Sequence, residues 1–97
     1  MARVLVLGST GSIGVQALEV IERAPDLTAV GLSCGSRVAD MAAQAAAHGI
    51  AHTAAAAGGG TVRFDPDLDA LIEASQPDIV LNAIVGAAGL RPTLAAL

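Results

Sequence analysis

The sequence predicts an α/β fold: a doubly wound parallel sheet, incomplete, with about four strands and flanking helices. Three observations carry this reading. Apolar runs rich in β-branched residues, within 4–7 and 78–84, lack the polar alternation of a half-exposed sheet. Segments with helical spacing lie between such runs. The first strand and the first helix are joined by a loop with glycine at 8, 11 and 14.

The elements follow in order. Residues 4–7 form a strand that runs straight into the glycine loop. In "IGVQALEVIERA", Ile13, Ala17, Val20 and Ile21 recur at helical spacing, with Gln16, Glu19, Glu22 and Arg23 on the other face. Pro25 and Asp26 end that helix. "TAVGLS", residues 28–33, reads as a second strand. A helix from Val38 to about Ala47 is closed by His48-Gly49. Residues 52–54 suit a short third strand, and Gly58, Gly59 and Gly60 mark a flexible surface loop. Asp65-Pro66 opens a third helix that reaches about Ser75, with acids in its first turn where the helix dipole favours them. Gln76-Pro77 breaks it. "DIVLNAI", residues 78–84, is the strongest strand, and "VGAAGLRPTLAAL" is a glycine-bearing turn leading into another helix. Strands alternating with helices give parallel pairing with right-handed crossovers. The pattern is Rossmann-like. The chain stops inside a helical pattern, so residues 1–97 read as the front of a longer protein.

Composition narrows the functional classes. The chain is 54% hydrophobic, with a single aromatic residue, Phe64, and a net charge of -4. The five basic residues are all Arg and are scattered, with no aromatic platform, so no nucleic-acid partner is expected. No apolar run approaches the length of a membrane span, and the N-terminus does not read as a signal peptide. The lone Cys34 has no internal disulfide partner. A cytoplasmic protein fits all of this.

The glycine loop carries the chemistry. Gly8, Gly11 and Gly14 form G-x-x-G-x-x-G, without the Lys of a P-loop. Gly8 suits a sharp turn off the strand, Gly11 a close approach to a pyrophosphate, and Gly14 close packing of the helix. Amides around Ser12 and Ile13 would face an anion with the helix dipole behind them, and Ser9, Thr10 and Ser12 add hydroxyls. An ordinary strand-to-helix turn without ligand is the competing reading. NAD sites place an acid after the second strand to hold the ribose. Here "SCGSR", residues 33–37, has no carboxylate, and Ser36 with Arg37 suits a 2′-phosphate. The expected cofactor is therefore NADP(H), unless Arg37 is only a solvated residue of the helix start. The stretch 82–93 lies at the carboxyl end of the strongest strand, where doubly wound sheets bind ligands. Its small residues suit either a nicotinamide ribose or tight packing.

Other candidates are weaker. His48 and His52 are separated by Gly49 and read as surface residues. Cys34 reads as a packed thiol. Asp65, Asp67 and Asp69 read as helix-start charge. No acid–base pair or nucleophile stands out.

"LGSTGSIG", residues 7–14, together with "AIVGAAGLRPTLAA", residues 83–96, closely resembles the 1-deoxy-D-xylulose 5-phosphate reductoisomerase family. The resemblance spans the chain but corresponds only to the N-terminal portion of that family's NADPH-binding domain. It implies rearrangement and reduction of deoxyxylulose phosphate to methylerythritol phosphate in non-mevalonate isoprenoid synthesis. It also implies NADPH, a divalent cation (Mn2+ or Mg2+) and a homodimer. By the same resemblance, Thr10, Gly11, Ser12 and Ile13 bind the pyrophosphate, with Gly8 counted among the cofactor-binding residues for its turn, and Gly35, Ser36 and Arg37 form the 2′-phosphate segment. Ala83, Ile84 and Val85 pass the nicotinamide side. Ser36-Arg37 departs from the family's Gly-Lys-Asn or Gly-Gly-Asn pattern, and residues 54–60 look shorter than the usual insertion. The family's metal ligands, substrate phosphate site and lid have no matching positions here, so this stretch is not expected to be catalytic alone. A stand-alone NADP-binding or redox-sensing module is the alternative.

Overall fold

The computed structural model describes residues 1–84. Seven elements alternate along them: β1 Ala2–Leu7, α1 Ser12–Arg23, β2 Leu27–Cys34, α2 Val38–His48, β3 His52–Ala55, α3 Asp69–Ser75 and β4 Ile79–Asn82. The four strands form one sheet in the order β3-β2-β1-β4, and every neighbouring pair is parallel. The expected doubly wound α/β architecture is present. The segment from 85 onward, with its expected helix, lies outside the described residues.

The alternation of β1 explains the two covered faces. Val4 and Val6 point into a cluster with Leu18 and Ile21 of α1, Leu32 and Cys34 of β2, and Met41 of α2. Leu5 points the other way, onto Leu68, Leu71, Val80 and Ala54, with Phe64 and Ile72 packed around them. Helices α1 and α2 thus cover one face and α3 the other. That is why the runs 4–7 of β1 and 79–81 of β4 carry no polar residue.

Three expectations change in detail. The buried face of α1 is Gly14, Leu18 and Ile21, whereas Ile13 is 50% and Val20 63% exposed. The close seat of Gly14, described below, turns that stripe toward the sheet and the Ile13–Val20 stripe away. Strand β4 is shorter than expected, ending at Asn82. Helix α3 begins at Asp69 rather than at Asp65-Pro66. Pro66 and Asp67 lie in a turn closed by the Leu68 N–H donating to the Asp65 carbonyl at 2.9 Å, and Leu68 takes a left-handed φ of 58°. The acid still serves the helix from outside it. Its carboxylate accepts the Asp69 N–H at 3.0 Å and the Ala70 N–H at 3.2 Å, two of the unsatisfied donors of a helix start.

The far end of α3 is held from β1. The Arg3 guanidinium donates to the carbonyls of Ser75, at 2.6 Å, and Gln76, at 2.9 Å. A cation there also faces the negative end of the helix dipole. The Arg3 N–H donates to the Asp78 carboxylate at 2.9 Å, which starts the β1–β4 pairing. Gly31 of β2 allows the close approach of α3: an added Cβ would lie 2.7 Å from Leu5 Cδ1 and 3.1 Å from Ser75 Cβ.

The Ala70 and Asp69 amides hold the Asp65 carboxyl below the usual carboxylate range. A carboxyl lowered on folding stabilises above its ordinary pKa, and that contribution is lost as pH falls through the folded value. Asp65→Ala is therefore expected to lower the melting temperature at neutral pH. The deficit should shrink progressively as pH falls below the ordinary aspartate range. A deficit unchanged across that range, measured by thermal melts, would contradict the capping role.

Candidate functional site

The carboxyl ends of β1, β2 and β4 meet at the glycine loop. The N–H groups of Gly8 and Ser9 both donate to the Ser33 carbonyl of β2, at 3.0 and 2.9 Å, and Gly8 N–H also reaches Ser33 Oγ at 3.2 Å. On the other side, the Ala83 N–H donates to the Leu7 carbonyl at 2.8 Å. Gly8 has a φ of +76°, and an added Cβ would lie 3.0 Å from the Ile84 backbone nitrogen. The loop therefore needs glycine at 8 for both conformation and space. Ala83 is buried and Ile84 half-buried beside it, while Val85 lies outside the described residues.

Gly14 is needed for space alone. A Cβ there would overlap the Gly8 carbonyl oxygen and lie 2.7 Å from Ser9 Cα. The first turn of α1 sits directly on the loop that precedes it. Gly11 is different. Its φ of -76° is open to any residue, and an added Cβ would meet nothing nearer than the Gly8 oxygen at 3.7 Å. Neither the backbone nor the packing accounts for this glycine. It is exposed at the tip, beside exposed Ser12 and Ile13 and half-exposed Thr10.

The donors at this tip are open. No side chain caps α1, and the first bond of the helix runs from the Val15 N–H to the Gly11 carbonyl at 2.9 Å. The N–H groups of Thr10, Ser12, Ile13 and Gly14 meet no acceptor among the described residues. Several amides at the positive end of a helix dipole are suited to an anion.

Beyond β2 the chain turns through Gly35 and Ser36, both exposed, into Arg37, the N-cap of α2. An added Cβ at Gly35 meets nothing within 4 Å. Arg37 Nε lies 3.3 Å from Asp40 Oδ2, and both side chains are mostly solvated. The guanidinium is thus present where expected but shares its charge with an acid one turn on. Cys34 is buried at the end of β2, and burial pushes its thiol up, partly offset by the Arg37 backbone N–H and reinforced by Asp40. It is a packing residue rather than a thiolate at neutral pH.

Two residues escaped the sequence reading as participants. Ser33 is 3% exposed and anchors the loop through both its oxygens. Gln44, the one long polar side chain in the middle of an alanine-rich helix, donates Nε2 to the Ser9 carbonyl at 2.7 Å. That isolation among alanines was its only signal.

His48 stands at the end of α2, with Nδ1 3.5 Å from Glu22 Oε1, and His52 opens β3. Among the described residues no three His, Cys, Asp or Glu side chains gather closely enough to hold a metal ion. No helix there is long and apolar enough to cross a membrane. A cavity of about 440 Å³ lies away from the loop, within 55–64, where Arg63 is the lone charged residue.

Residues 4–97 match the family model described as 1-deoxy-D-xylulose 5-phosphate reductoisomerase. The protein of that name from Mycolicibacterium smegmatis is 53% identical over 98% of this chain and 26% of its own length. The one from Leifsonia xyli subsp. xyli is 48% identical over 98% of this chain and 24% of its own. The chain thus spans about a quarter of the length of these relatives. A crystal structure of DOX-P reductoisomerase in complex with magnesium superposes with a TM-score of 0.61 at 28% identity, over 99% of this chain and 28% of that one. A second, in complex with NADPH, fosmidomycin and magnesium, gives 0.59 at 26% identity, over 93% and 26%.

Gly14 and Gly11 should separate in a stability assay. Gly14→Ala forces a Cβ into the loop backbone and is expected to cost about 2–3 kcal/mol or more. Gly11→Ala loses only the N-cap preference and should cost below about 1 kcal/mol. Equal losses in chemical denaturation would show that Gly11 is also held by the fold.

Proposed function

The chain belongs to the 1-deoxy-D-xylulose 5-phosphate reductoisomerase family, and from that premise we propose that residues 1–97 form the N-terminal portion of its NADPH-binding domain. One observation carries the cofactor reading. Gly8 and Gly14 are required by the fold, whereas Gly11 is required by nothing in the protein and borders open amides. A glycine that only a visitor needs, next to donors without acceptors, suits a phosphate lying against the backbone.

On this reading the backbone of Thr10, Gly11, Ser12 and Ile13 holds the pyrophosphate. The open amides of Thr10, Ser12 and Ile13 donate to it. Gly11, whose own N–H donates to the Gly8 carbonyl at 3.3 Å, leaves room for its close approach, and Gly8 shapes the turn. Gly35, Ser36 and Arg37 receive the 2′-phosphate. The absence of a carboxylate from 33–37 removes the repulsion that an NAD-type site would present. Ala83, Ile84 and Val85 border the nicotinamide side. NADPH supplies, when bound, the hydride for a reduction. This chain's own part is to bind and orient it. The parent activity we propose is isomerisation and NADPH-dependent reduction of 1-deoxy-D-xylulose 5-phosphate to 2-C-methyl-D-erythritol 4-phosphate, in non-mevalonate isoprenoid synthesis. We place it in the cytoplasm and in a homodimer. The Mn2+ or Mg2+ of that activity finds no ligand group among the described residues. No residue here is given that role, and residues 1–97 alone are expected to turn nothing over.

Titration with NADP+ and NAD+ tests the assignment. NADP+ is expected to bind more tightly. Arg37→Ala should weaken NADP+ by about five- to tenfold, a modest loss because Arg37 is solvated and shared with Asp40, and should leave NAD+ unchanged. Equal affinity of the natural protein for both dinucleotides would overturn the 2′-phosphate assignment.

A further inference from the structure

We propose that Gln44 is a positioning residue for the glycine loop: its side-chain amide holds the Ser9 carbonyl so that the Thr10 N–H is presented to the diphosphate. The inference rests on the cofactor reading above and adds a residue from a different element to it.

The argument starts from one peptide plane. The Ser9–Thr10 peptide is trans, as are the others, so its C=O and N–H point in opposite directions. Gln44 Nε2 donates to that carbonyl at 2.7 Å from the α2 side. The Ser9 N–H is already committed to the Ser33 carbonyl at 2.9 Å. On the other side the Gly11 N–H donates to the Gly8 carbonyl at 3.3 Å, so with both flanking groups tied down the plane cannot rotate freely about its ends. Ser9 is fully buried and Thr10 is half-exposed, so the Thr10 N–H, opposite the held carbonyl, has no acceptor among the described residues.

The chemistry of Gln44 fits orientation better than packing. Two buried side-chain atoms among the described residues lack a hydrogen-bond partner, Ser9 Oγ and Gln44 Oε1, and they belong to the two residues joined by this bond. An unpaired buried oxygen is unfavourable, and an apolar side chain at 44 would remove one of the two. The single directed bond to the loop is what glutamine adds. The same helix begins directly after Gly35, Ser36 and Arg37. One rigid element therefore carries the proposed 2′-phosphate segment at its start and the support of the diphosphate loop two turns later.

The test uses the protein as its gene encodes it, with Gln44→Leu and Gln44→Met, which keep bulk but have no N–H. Affinities for NADP+ and for adenosine 2′-monophosphate, which lacks the diphosphate, are compared. NADP+ should weaken by about tenfold, the loss of one well-placed bond to a charged group, while the monophosphate changes by less than about twofold. Equal weakening of both ligands, unchanged NADP+ affinity beside a lowered melting temperature, or loss of folding in both variants would assign Gln44 to the fold and overturn the proposal. Failure of the unsubstituted protein to bind NADP+ would instead remove the cofactor reading, and this inference with it.

Discussion

The contact on which this structure turns is the seat of Gly14 against Gly8 and Ser9. There is no room for even one methyl group between the first turn of α1 and the loop below it. That closeness sets the azimuth of the helix, so that Gly14, Leu18 and Ile21 face the sheet. It also brings the positive end of the helix dipole down to the carboxyl edge of β1. The amides of the tip stay open because the N-cap residue is Gly11, which has no side chain to offer them.

The loop is then fixed from three sides by short-range bonds. Ser33 holds two successive N–H groups, Ala83 binds back to Leu7, and Gln44 reaches across from α2. The anchors come from three separate places: the end of β2, the residue just after β4, and the middle of α2. The loop's shape is thus over-determined, by the sheet order β3-β2-β1-β4 as well as by its own glycines at 8 and 14. Such rigidity suits a surface that must offer donors at fixed positions without reorganisation.

Much of this was legible in the sequence. Strands covered on both faces leave continuous apolar runs, and the loop glycines fall in register whatever the tertiary context. The misread parts share a cause. The periodicity of α1 is compatible with two adjacent stripes, and only the seat of Gly14 chooses between them. The start of α3 follows from Leu68 taking a left-handed conformation, which local propensity disfavours. Gln44 shows in the sequence only as a lone long polar side chain among alanines, and its role is hidden because its partner is 35 residues away. The resemblance legible in the sequence rests on motifs near the two ends of the chain, most of the second lying outside the described residues, whereas the family match runs over residues 4–97.

The turn at Gly35 has a different character from the loop it adjoins. It is exposed, its φ is unremarkable, and space for a side chain lies open around it. Substitutions there are decoupled from the core clusters on either face of the sheet. On the proposed cofactor reading, preference between dinucleotides would be redesigned in this corner by few exchanges, while Gly8 and Gly14 of the loop one strand away leave no room for a side chain. Evolvability and constraint sit side by side, separated by a single sheet spacing.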